Sequence, residues 1–303
     1  MLRPLLPEHP GVDLHIVVGA PFLYVKSSST LIMSDLHLGF EEAASRGLFY
    51  SARKTKSSYA AIFLPKIQLK KALQLFDYAA ENLEVKRVVV NGDLKHAFDR
   101  LLRQEREEVV EFVKHLKERG VSEVVVVRGN HDNFVKPLLR KLEVSFVSGF
   151  STRAGDKQVL FIHGHEEVDF SEYDVVVIGH EHPSIRCFDV YRFPCLLKIP
   201  LVQGKVLVVM PATGPYHPGI VVTPNPADYL SPIIKKLDSL SDMSIITWID
   251  LGEVRTGSTE YNIEIASASA AELVRLDKFT IGNREIATLE FKDFETASLI
   301  CMA

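Results

Sequence analysis

Cysteine is scarce in this chain, and the few cysteines follow no metal-binding or disulfide pattern. Among 303 residues there are 3 cysteines, at positions 187, 195 and 301. An odd number of cysteines without a Cys-x-x-Cys pair indicates neither a disulfide framework nor a thiolate zinc site. We therefore expect reduced cysteines and a cytoplasmic protein.

The sequence also lacks a long apolar run and an excess of basic residues. No stretch approaches the ~20 apolar residues that a membrane span requires, and Pro4, Pro7 and Pro10 interrupt the start of the chain, where a signal peptide would need an apolar core. The formal net charge of -4 gives no general attraction to nucleic acid or to an anionic membrane. We expect no membrane association, and a contact with nucleic acid would have to come from a local patch. The oligomeric state stays open, with a homodimer as one alternative.

What the chain does contain is a set of short apolar segments that lead directly into polar, chemically active residues. The four consecutive valines 124–127 predict a strand that is buried on both faces. Five such segments recur, and ligands of open α/β sheets bind beyond the carboxyl ends of the strands. The polar residues that follow these segments are Asp35 and His37, Asp93, Asn130 to Asp132, His163 and His165, and His180 and His182. A site assembled from all five strand ends is the leading hypothesis.

Segments with helical periodicity separate the early strands. The apolar positions of 69–83 and of Gln104 to Arg119 recur at helical spacing, which predicts amphipathic helices. A strand-helix-strand succession predicts a partly parallel sheet with right-handed crossovers.

The later chain changes in composition at a group of prolines that begins with Pro224. Beyond it the alternation of Ile245–Ile249 and Tyr261–Ile265 predicts strands, and a short helix is expected near Ala270 to Leu276. We predict a catalytic domain over 1–223 and a C-terminal extension of unassigned role over 224–303.

A basic, irregular stretch follows His37 at a distance. It contains Arg46, Arg53, Lys54 and Lys56 among serines and small residues. A segment of this kind inside a domain is a functional lid or a solvated loop. Both interpretations stay open: a lid that attracts phosphate, or a plain surface loop.

The candidate residues suit a pair of divalent metal ions. Carboxylate oxygens and neutral imidazoles form a mixed oxygen and nitrogen donor set that suits Mn²⁺, Fe²⁺ or Zn²⁺. Two ions about 3.5 to 4 Å apart can clamp the attacking and the leaving oxygen of a phosphoryl transfer. The candidate residues at the five strand ends are more than one ion can bind, and they suit two.

Together these fragments resemble the signature of the calcineurin-like metallophosphoesterases, which reads Asp-x-His, Gly-Asp, Gly-Asn-His-Asp, His and Gly-His-x-His. The corresponding residues are Asp35–His37, Gly92–Asp93, Gly129–Asp132, His163 and Gly179–His182. The resemblance implies an α/β fold, a four-layer α/β/β/α sandwich of two mixed sheets, here with a small C-terminal α+β extension. The stretches 35–42, 92–96 and 210–212 further resemble the SbcD-related (ICC-like) branch of this superfamily.

The resemblance also implies roles for the candidate residues. Asp35, His37 and His182 would hold one metal ion. Asn130, His163 and His180 would hold the other, and Asp93 would bridge the two. Manganese is the favoured metal, with Fe²⁺ and Zn²⁺ as alternatives. The implied nucleophile is a hydroxide that bridges the ions, and His131 would protonate the leaving oxygen.

Several neighbouring residues have two interpretations each. Asp132 would orient His131 in catalysis or cap the loop. His165 could replace His163 as the ligand, although the family pattern favours His163. Lys95 and His96 would approach the substrate phosphate or belong to a solvated turn. His217 is expected to line nothing.

The predicted function is hydrolysis of phosphodiester bonds, with a nucleotide or a nucleic-acid fragment as the substrate. One alternative is a phosphomonoesterase. Another is a metal-binding scaffold module without turnover. The presence of both Asp93 and His131 favours an enzyme over a scaffold.

Overall fold

Two mixed β-sheets pack face to face in the part of the chain that the computed structural model describes, which is residues 1–9, 11–46, 64–187, 191–217, 219–253 and 273–301. The first sheet is antiparallel from β1 to β4 and parallel from β4 to β7. Its strands lie in sequence order: β1 (Leu2–Pro4), β2 (Leu14–Val17), β3 (Leu23–Val25), β4 (Thr30–Met33), β5 (Arg87–Asn91), β6 (Glu123–Val127) and β7 (Ser145–Val147).

The second sheet has the order β15-β16-β14-β12-β13-β10-β9-β8, and β11 pairs with the first part of β12. Strands β9, β10 and β13 are parallel to one another, and the other pairs are antiparallel. The strands are β8 (Phe150–Ala154), β9 (Lys157–Phe161), β10 (Val175–Ile178), β11 (Ser184–Cys187), β12 (Tyr191–Pro200), β13 (Val206–Val209), β14 (Ser244–Glu253), β15 (Val274–Ile281) and β16 (Arg284–Phe291).

Helices cover the outer face of each sheet. α2 and α3 pack on the first sheet through Phe76 and Phe112, and α5 and α6 pack on the second through Ile234 and Ala297. The helices are α1 (40–46), α2 (Gln68–Ala80), α3 (Arg103–Glu118), α4 (Lys136–Lys141), α5 (Pro232–Lys235) and α6 (Phe294–Cys301), with single 3₁₀ turns at Lys26–Ser28, Val202–Gly204 and Pro226–Asp228. The predicted α/β/β/α sandwich is therefore confirmed.

The unbroken valine runs are explained by burial on both faces of each strand. Successive side chains of a strand point to opposite faces. In β5, Val88 and Val90 face the helices, whereas Val89 joins the core between the sheets. In β10, Val177 faces that central core and Ile178 faces the outer one. Both faces are thus apolar, and polar chemistry is confined to the strand ends.

The C-terminal strands continue the second sheet. β14 pairs with β12, β16 pairs with β14, and β15 forms the edge. Much of the segment predicted as an extension thus shares backbone hydrogen bonds with the preceding domain, and the division at residue 223 stays a prediction. The expectation of a helix near Ala270 to Leu276 was wrong from Val274 onward, because these residues begin β15. The error arose because the apolar residues of this short run alternate and are only partly buried, and such a run fits both the helical and the strand period.

Some sequence predictions lie outside the described residues. The segment Tyr261–Ile265 and the basic residues Arg53, Lys54 and Lys56 are among them. Within the described ranges, none of the helices is both long enough and apolar enough to span a bilayer.

The expectation of reduced cysteines was wrong. Cys187 at the end of β11 forms a disulfide with Cys301 at the end of α6, and Cys195 is free and buried. The two partners are 114 residues apart in sequence. Spacing rules reveal only local pairs, and this pair arises because α6 packs against β11 in the folded chain.

Candidate metal centre

The predicted ligands meet where the parallel strands of both sheets end. β4, β5 and β6 lead into Asp35, Asp93 and Asn130, and β9 and β10 lead into His163 and His180. The side chain of Asn91 donates to the carbonyls of Ile162 (3.0 Å) and Val177 (3.3 Å) in the other sheet. This amide joins the two sheets directly beneath the cluster.

Left-handed backbone conformations turn these side chains back over the strand ends. Five of the predicted ligands have positive φ angles: Asp35 (55°), His37 (46°), Asp93 (52°), His180 (69°) and His182 (47°). Such a conformation costs a non-glycine residue on the order of 1 to 3 kcal/mol, and it persists only where the surroundings enforce it. Gly92, at φ 88°, is required for a second reason, because a Cβ there would lie 2.1 Å from His163 Nδ1.

The first group consists of Asp35, His37 and His182. His182 Nε2 lies 2.9 Å from Asp35 Oδ1, and His37 Nε2 lies 3.4 Å from His182 Nε2. Burial, together with the neighbouring imidazoles, holds the pKa of His37 well below its usual value. A neutral imidazole can bind a metal ion, and the donor atoms of the three residues lie within 4.8 Å of one another.

The second group consists of Asp93, His163 and His180, with Asn130 beside them. His163 Nε2 lies 3.3 Å from Asp93 Oδ2 and 3.2 Å from Asn130 Oδ1. Burial alone would lower the pKa of His163, but the carboxylates of Asp93 and Asp35 raise it to about 10. His180 shows the opposite balance, since burial and the neighbouring His163 lower its pKa to about 4.

Asp93 faces both groups at once. Its Oδ2 lies 3.7 Å from His37 Nε2 on one side and 3.3 Å from His163 Nε2 on the other. The carboxylate is buried, yet the surrounding imidazoles keep its pKa well below the usual value. An ionised carboxylate between two sets of nitrogen donors is the arrangement that a bridging ligand requires.

His131 lies at the open side of this cluster. Its Nε2 is 3.9 Å from Asp93 Oδ2, and its Nδ1 contacts the His96 carbonyl. A carbonyl can only accept, so Nδ1 carries a hydrogen and Nε2 is the atom that faces the centre. Asp132 instead accepts hydrogen bonds from the backbone amides of Asp93 (2.9 Å), Leu94 (2.9 Å) and Gly129 (2.8 Å). These contacts support the loop-capping interpretation of Asp132 rather than the orientation of His131.

The remaining candidates divide into those near the cluster and those turned away. The His96 ring stacks on His131 with centroids 5.3 Å apart, and its Nδ1 lies 3.3 Å from His37 Nδ1. Lys95 is fully buried, and its ammonium donates to the Ala97 carbonyl instead of pointing into the site. His165 lies behind His163, with ring centroids 5.3 Å apart, and its nitrogens have no hydrogen-bond partner. The assignment of His163 rather than His165 as the ligand stays a prediction.

His217 is the residue that the sequence analysis missed. Its ring stacks on His37 at 4.0 Å with an angle of 17°, and both ring nitrogens are buried without a hydrogen-bond partner. The expectation that it lines nothing was wrong. The turn after β13 lies beside the site, where the Thr213 hydroxyl donates to the Ser34 carbonyl at 2.8 Å. His217 is only four residues further along the chain than Thr213. This short distance in sequence from a turn beside the site was the signal that could have identified His217.

A segment from the C-terminal part anchors two ligand loops. The Glu181 carboxylate, between His180 and His182, accepts hydrogen bonds from the backbone amides of Leu230 (3.0 Å) and Ser231. The Ser231 hydroxyl donates to the carbonyl of Gly164 at 2.6 Å, next to His163. The same two residues thus hold both loops of the second sheet in place.

Comparison with known proteins agrees with this geometry. The family model described as calcineurin-like phosphoesterase matches residues 28–184, which include all seven predicted ligands. The chain belongs to the calcineurin-like phosphoesterase family. No curated protein sequence matches it significantly.

A solved structure of low sequence identity shares the fold of this phosphoesterase. The crystal structure of nuclease MPE from Pseudomonas putida is 19% identical, with a TM-score of 0.52, over 82% of this chain and 96% of that one. Vacuolar protein sorting 29 from Cryptosporidium parvum is 15% identical over 87% of this chain and 97% of that one, and its TM-score of 0.32 is too low to support an argument. At such identities the likeness to the nuclease establishes the fold alone.

The donor set fits the metal dependence of the family. Membership makes the protein a metal-dependent phosphoesterase, and two groups of carboxylate and imidazole donors converge in the structure, beside a third group of imidazoles alone, His37, His96 and His131. In each group the donor atoms lie within 4.8 Å of one another, and none of the three contains a thiolate. The individual ligand roles of Asp35, His37, Asp93, Asn130, His163, His180 and His182 stay predictions.

Proposed function

We propose that this phosphoesterase hydrolyses phosphodiester bonds of nucleotides or nucleic acid at a centre of two divalent metal ions. The position of Asp93 between the two donor groups carries this proposal, because one carboxylate that serves two ions suits in-line displacement at phosphorus. Manganese is the favoured metal, since the donor set of oxygens and neutral imidazoles suits it, with Fe²⁺ and Zn²⁺ as alternatives.

The proposed roles follow from the contacts. Asp35, His37 and His182 would hold one ion, Asn130, His163 and His180 the other, and Asp93 both. When bound, the ions would lower the pKa of a water to near neutrality and polarise the phosphoryl oxygens. The His131 ring is held through Nδ1 by the His96 carbonyl. Its protonated Nε2 can therefore donate to the leaving oxygen as a general acid.

A phosphomonoesterase is the competing function, and one observation opposes it. A monoester carries an additional negative charge, which buried cationic side chains commonly neutralise. Among the described residues, Lys95 and Arg128 each lie two residues from a predicted ligand; the Lys95 ammonium is turned to the Ala97 carbonyl, and the Arg128 guanidinium lies 3.9 Å from Glu166 Oε1. This leaves diesters as the favoured class, which also agrees with the nuclease of similar fold from Pseudomonas putida.

A metal-by-substrate screen with a matched variant tests the proposal. The purified protein is assayed with Mn²⁺, Fe²⁺ and Zn²⁺ against an aryl phosphodiester, an aryl phosphomonoester, cyclic nucleotides and oligonucleotides. Asp93→Asn should abolish turnover and lower the metal content while circular dichroism stays unchanged. A fully metallated, active Asp93→Asn variant would refute the dinuclear centre. A preference for the monoester would refute the substrate class, and turnover of no substrate would favour a metal-binding scaffold.

Three further features belong to the proposal. Similarity in the stretches 35–42 and 92–96 favours the SbcD-related branch. We propose 1–223 as the catalytic part, with the role of 224–303 unassigned apart from the contacts of Leu230 and Ser231 described above. The oligomeric state stays open, with a homodimer as one alternative.

A further inference from the structure

Two exposed phenylalanines lie in loops that carry predicted ligands. Of the phenylalanines that the structure describes, only Phe98 (59% exposed) and Phe134 (62% exposed) expose most of their surface to solvent. Each follows a predicted ligand loop, Phe98 after Asp93 and Phe134 after Asn130. Exposed aromatic rings beside a catalytic centre are unusual for a packing role, because burial is what makes such rings stabilising.

A ring contact ties Phe98 to the centre, and Asn133 joins its loop to the loop of Phe134. The Phe98 ring meets the His131 ring edge to face, with centroids 6.0 Å apart. The side-chain amide of Asn133 donates to the Phe98 carbonyl at 3.2 Å and to the Asn130 carbonyl at 3.1 Å. The two loops therefore form one unit, and Phe98 lies on the side of the proposed general acid, where a leaving group would depart.

The backbone of Phe134 supports a role beyond packing. Its φ angle is 66°, which is uncommon for a bulky residue and unfavourable without an enforcing environment. The neighbouring residues supply that environment, since Asp132 on one side and Val135 on the other are buried. The result is a ring that is held out in solvent by a fixed backbone, so that little conformational freedom is lost when a flat ligand covers it.

We propose that Phe98 and Phe134 are stacking platforms for the bases of single-stranded nucleic acid whose phosphodiester lies at the metal centre. This inference rests on the proposed function and names its substrate class. Stacking of a base on an aromatic side chain tolerates any sequence. Bases in a duplex are already stacked and paired, so the rings would gain little from a duplex. The negative overall charge also leaves stacking, rather than general electrostatics, as the source of affinity.

The test compares a short thymidine oligonucleotide with an abasic oligomer of the same length and charge. Phe98→Ala and Phe134→Ala should each raise KM for the thymidine oligomer on the order of tenfold, from the usual strength of base stacking. Neither variant should change KM for the abasic oligomer, and kcat should stay within about twofold, a factor too small to represent a lost stacking contact. Val202→Ala is the matched control, because Val202 is 82% exposed but lies in the turn before β13, at the end of the parallel strands opposite to the metal centre.

A second variant reports binding without turnover. Phe98→Trp should retain the KM of the unmodified protein, and its fluorescence should be quenched by the thymidine oligomer but not by the abasic one. Equal losses for both oligomers, no loss for either, or an equal effect on a duplex would overturn the inference. If the protein hydrolyses no diester but the Phe98→Trp fluorescence still responds selectively, the proposed function fails and the stacking site stands.

Discussion

Metal binding should release protons, mainly from His163, and its affinity should therefore rise steeply with pH. His163 Nδ1 lies 3.1 Å from the Asn91 carbonyl, and Nε2 lies 3.2 Å from Asn130 Oδ1 and 3.3 Å from Asp93 Oδ2. Both nitrogens thus face oxygen acceptors, an arrangement that favours the imidazolium form of the ring when no metal ion is bound. Although burial opposes the charge, Asp93 and Asp35 raise its pKa to about 10.

The sign of the effect follows from this raised pKa. The imidazolium stabilises the metal-free fold fully below about pH 6.5, the unfolded value, and this contribution is lost as the pH rises towards about 10. A metal ion requires the neutral ring, so each pH unit in this window changes the affinity about tenfold, or 1.36 kcal/mol. Between about pH 6.5 and about pH 8.5 the affinity should rise roughly 100-fold for one proton. The rise is larger if His182, whose pKa burial would lower but Asp35 raises, releases a second proton.

Isothermal titration of the metal-free protein with Mn²⁺, in buffers of different ionisation enthalpy, measures the released protons directly. Between one and two protons per protein should be released near neutral pH. His217→Ala is the control, because burial and neighbouring imidazoles lower the pKa of His217 to about 3 and its ring is already neutral. An affinity that is flat over this pH range, with no proton release, would show that His163 is neutral and would refute the reasoning.

Three other outcomes are expected. His131→Gln should retain the metals and lose turnover about 10²- to 10⁴-fold for a substrate with an alkyl leaving group. It should lose little for a nitrophenyl substrate, because nitrophenolate leaves without needing a proton. Equal losses of turnover for the two substrates would assign His131 to phosphate positioning instead. Ser231→Ala should weaken metal binding roughly 10-fold or more, because it frees the Gly164 carbonyl next to His163. Ser239 is exposed, and Ser239→Ala should leave metal binding unchanged. Equal metal content of the two variants in elemental analysis would contradict this prediction. Arg3→Met should lower the free energy of unfolding by about 3 kcal/mol, because Arg3 is buried and pairs with Asp277 (2.7 Å) and Glu290 across the two sheets. If urea denaturation shows that the free energy of unfolding falls by less than about 1 kcal/mol, these ion pairs contribute little to stability.

Local patterns determined the strands, the main helices and the ligand candidates of this protein. The valine runs of β5, β6 and β10 are apolar on both faces, so they could be read as buried strands without knowing their neighbours. Polar residues directly after each run could then be placed at one edge of a parallel sheet. The short C-terminal segments carry no such signal, and the mistaken helix that includes Val274 shows how a half-buried strand resembles other structures over few residues.

Only the tertiary structure decided which distant residues support the site. The stacking of His217 on His37, the anchoring of both ligand loops by Glu181 and Ser231, and the disulfide between Cys187 and Cys301 all join residues that are far apart in the chain. The same holds for Lys95, whose sequence position suggests a phosphate contact but whose ammonium is turned to the Ala97 carbonyl. Composition and periodicity specify which residues of a segment are buried. The direction of a single side chain depends instead on packing against elements that lie elsewhere in the chain, which the local sequence does not contain.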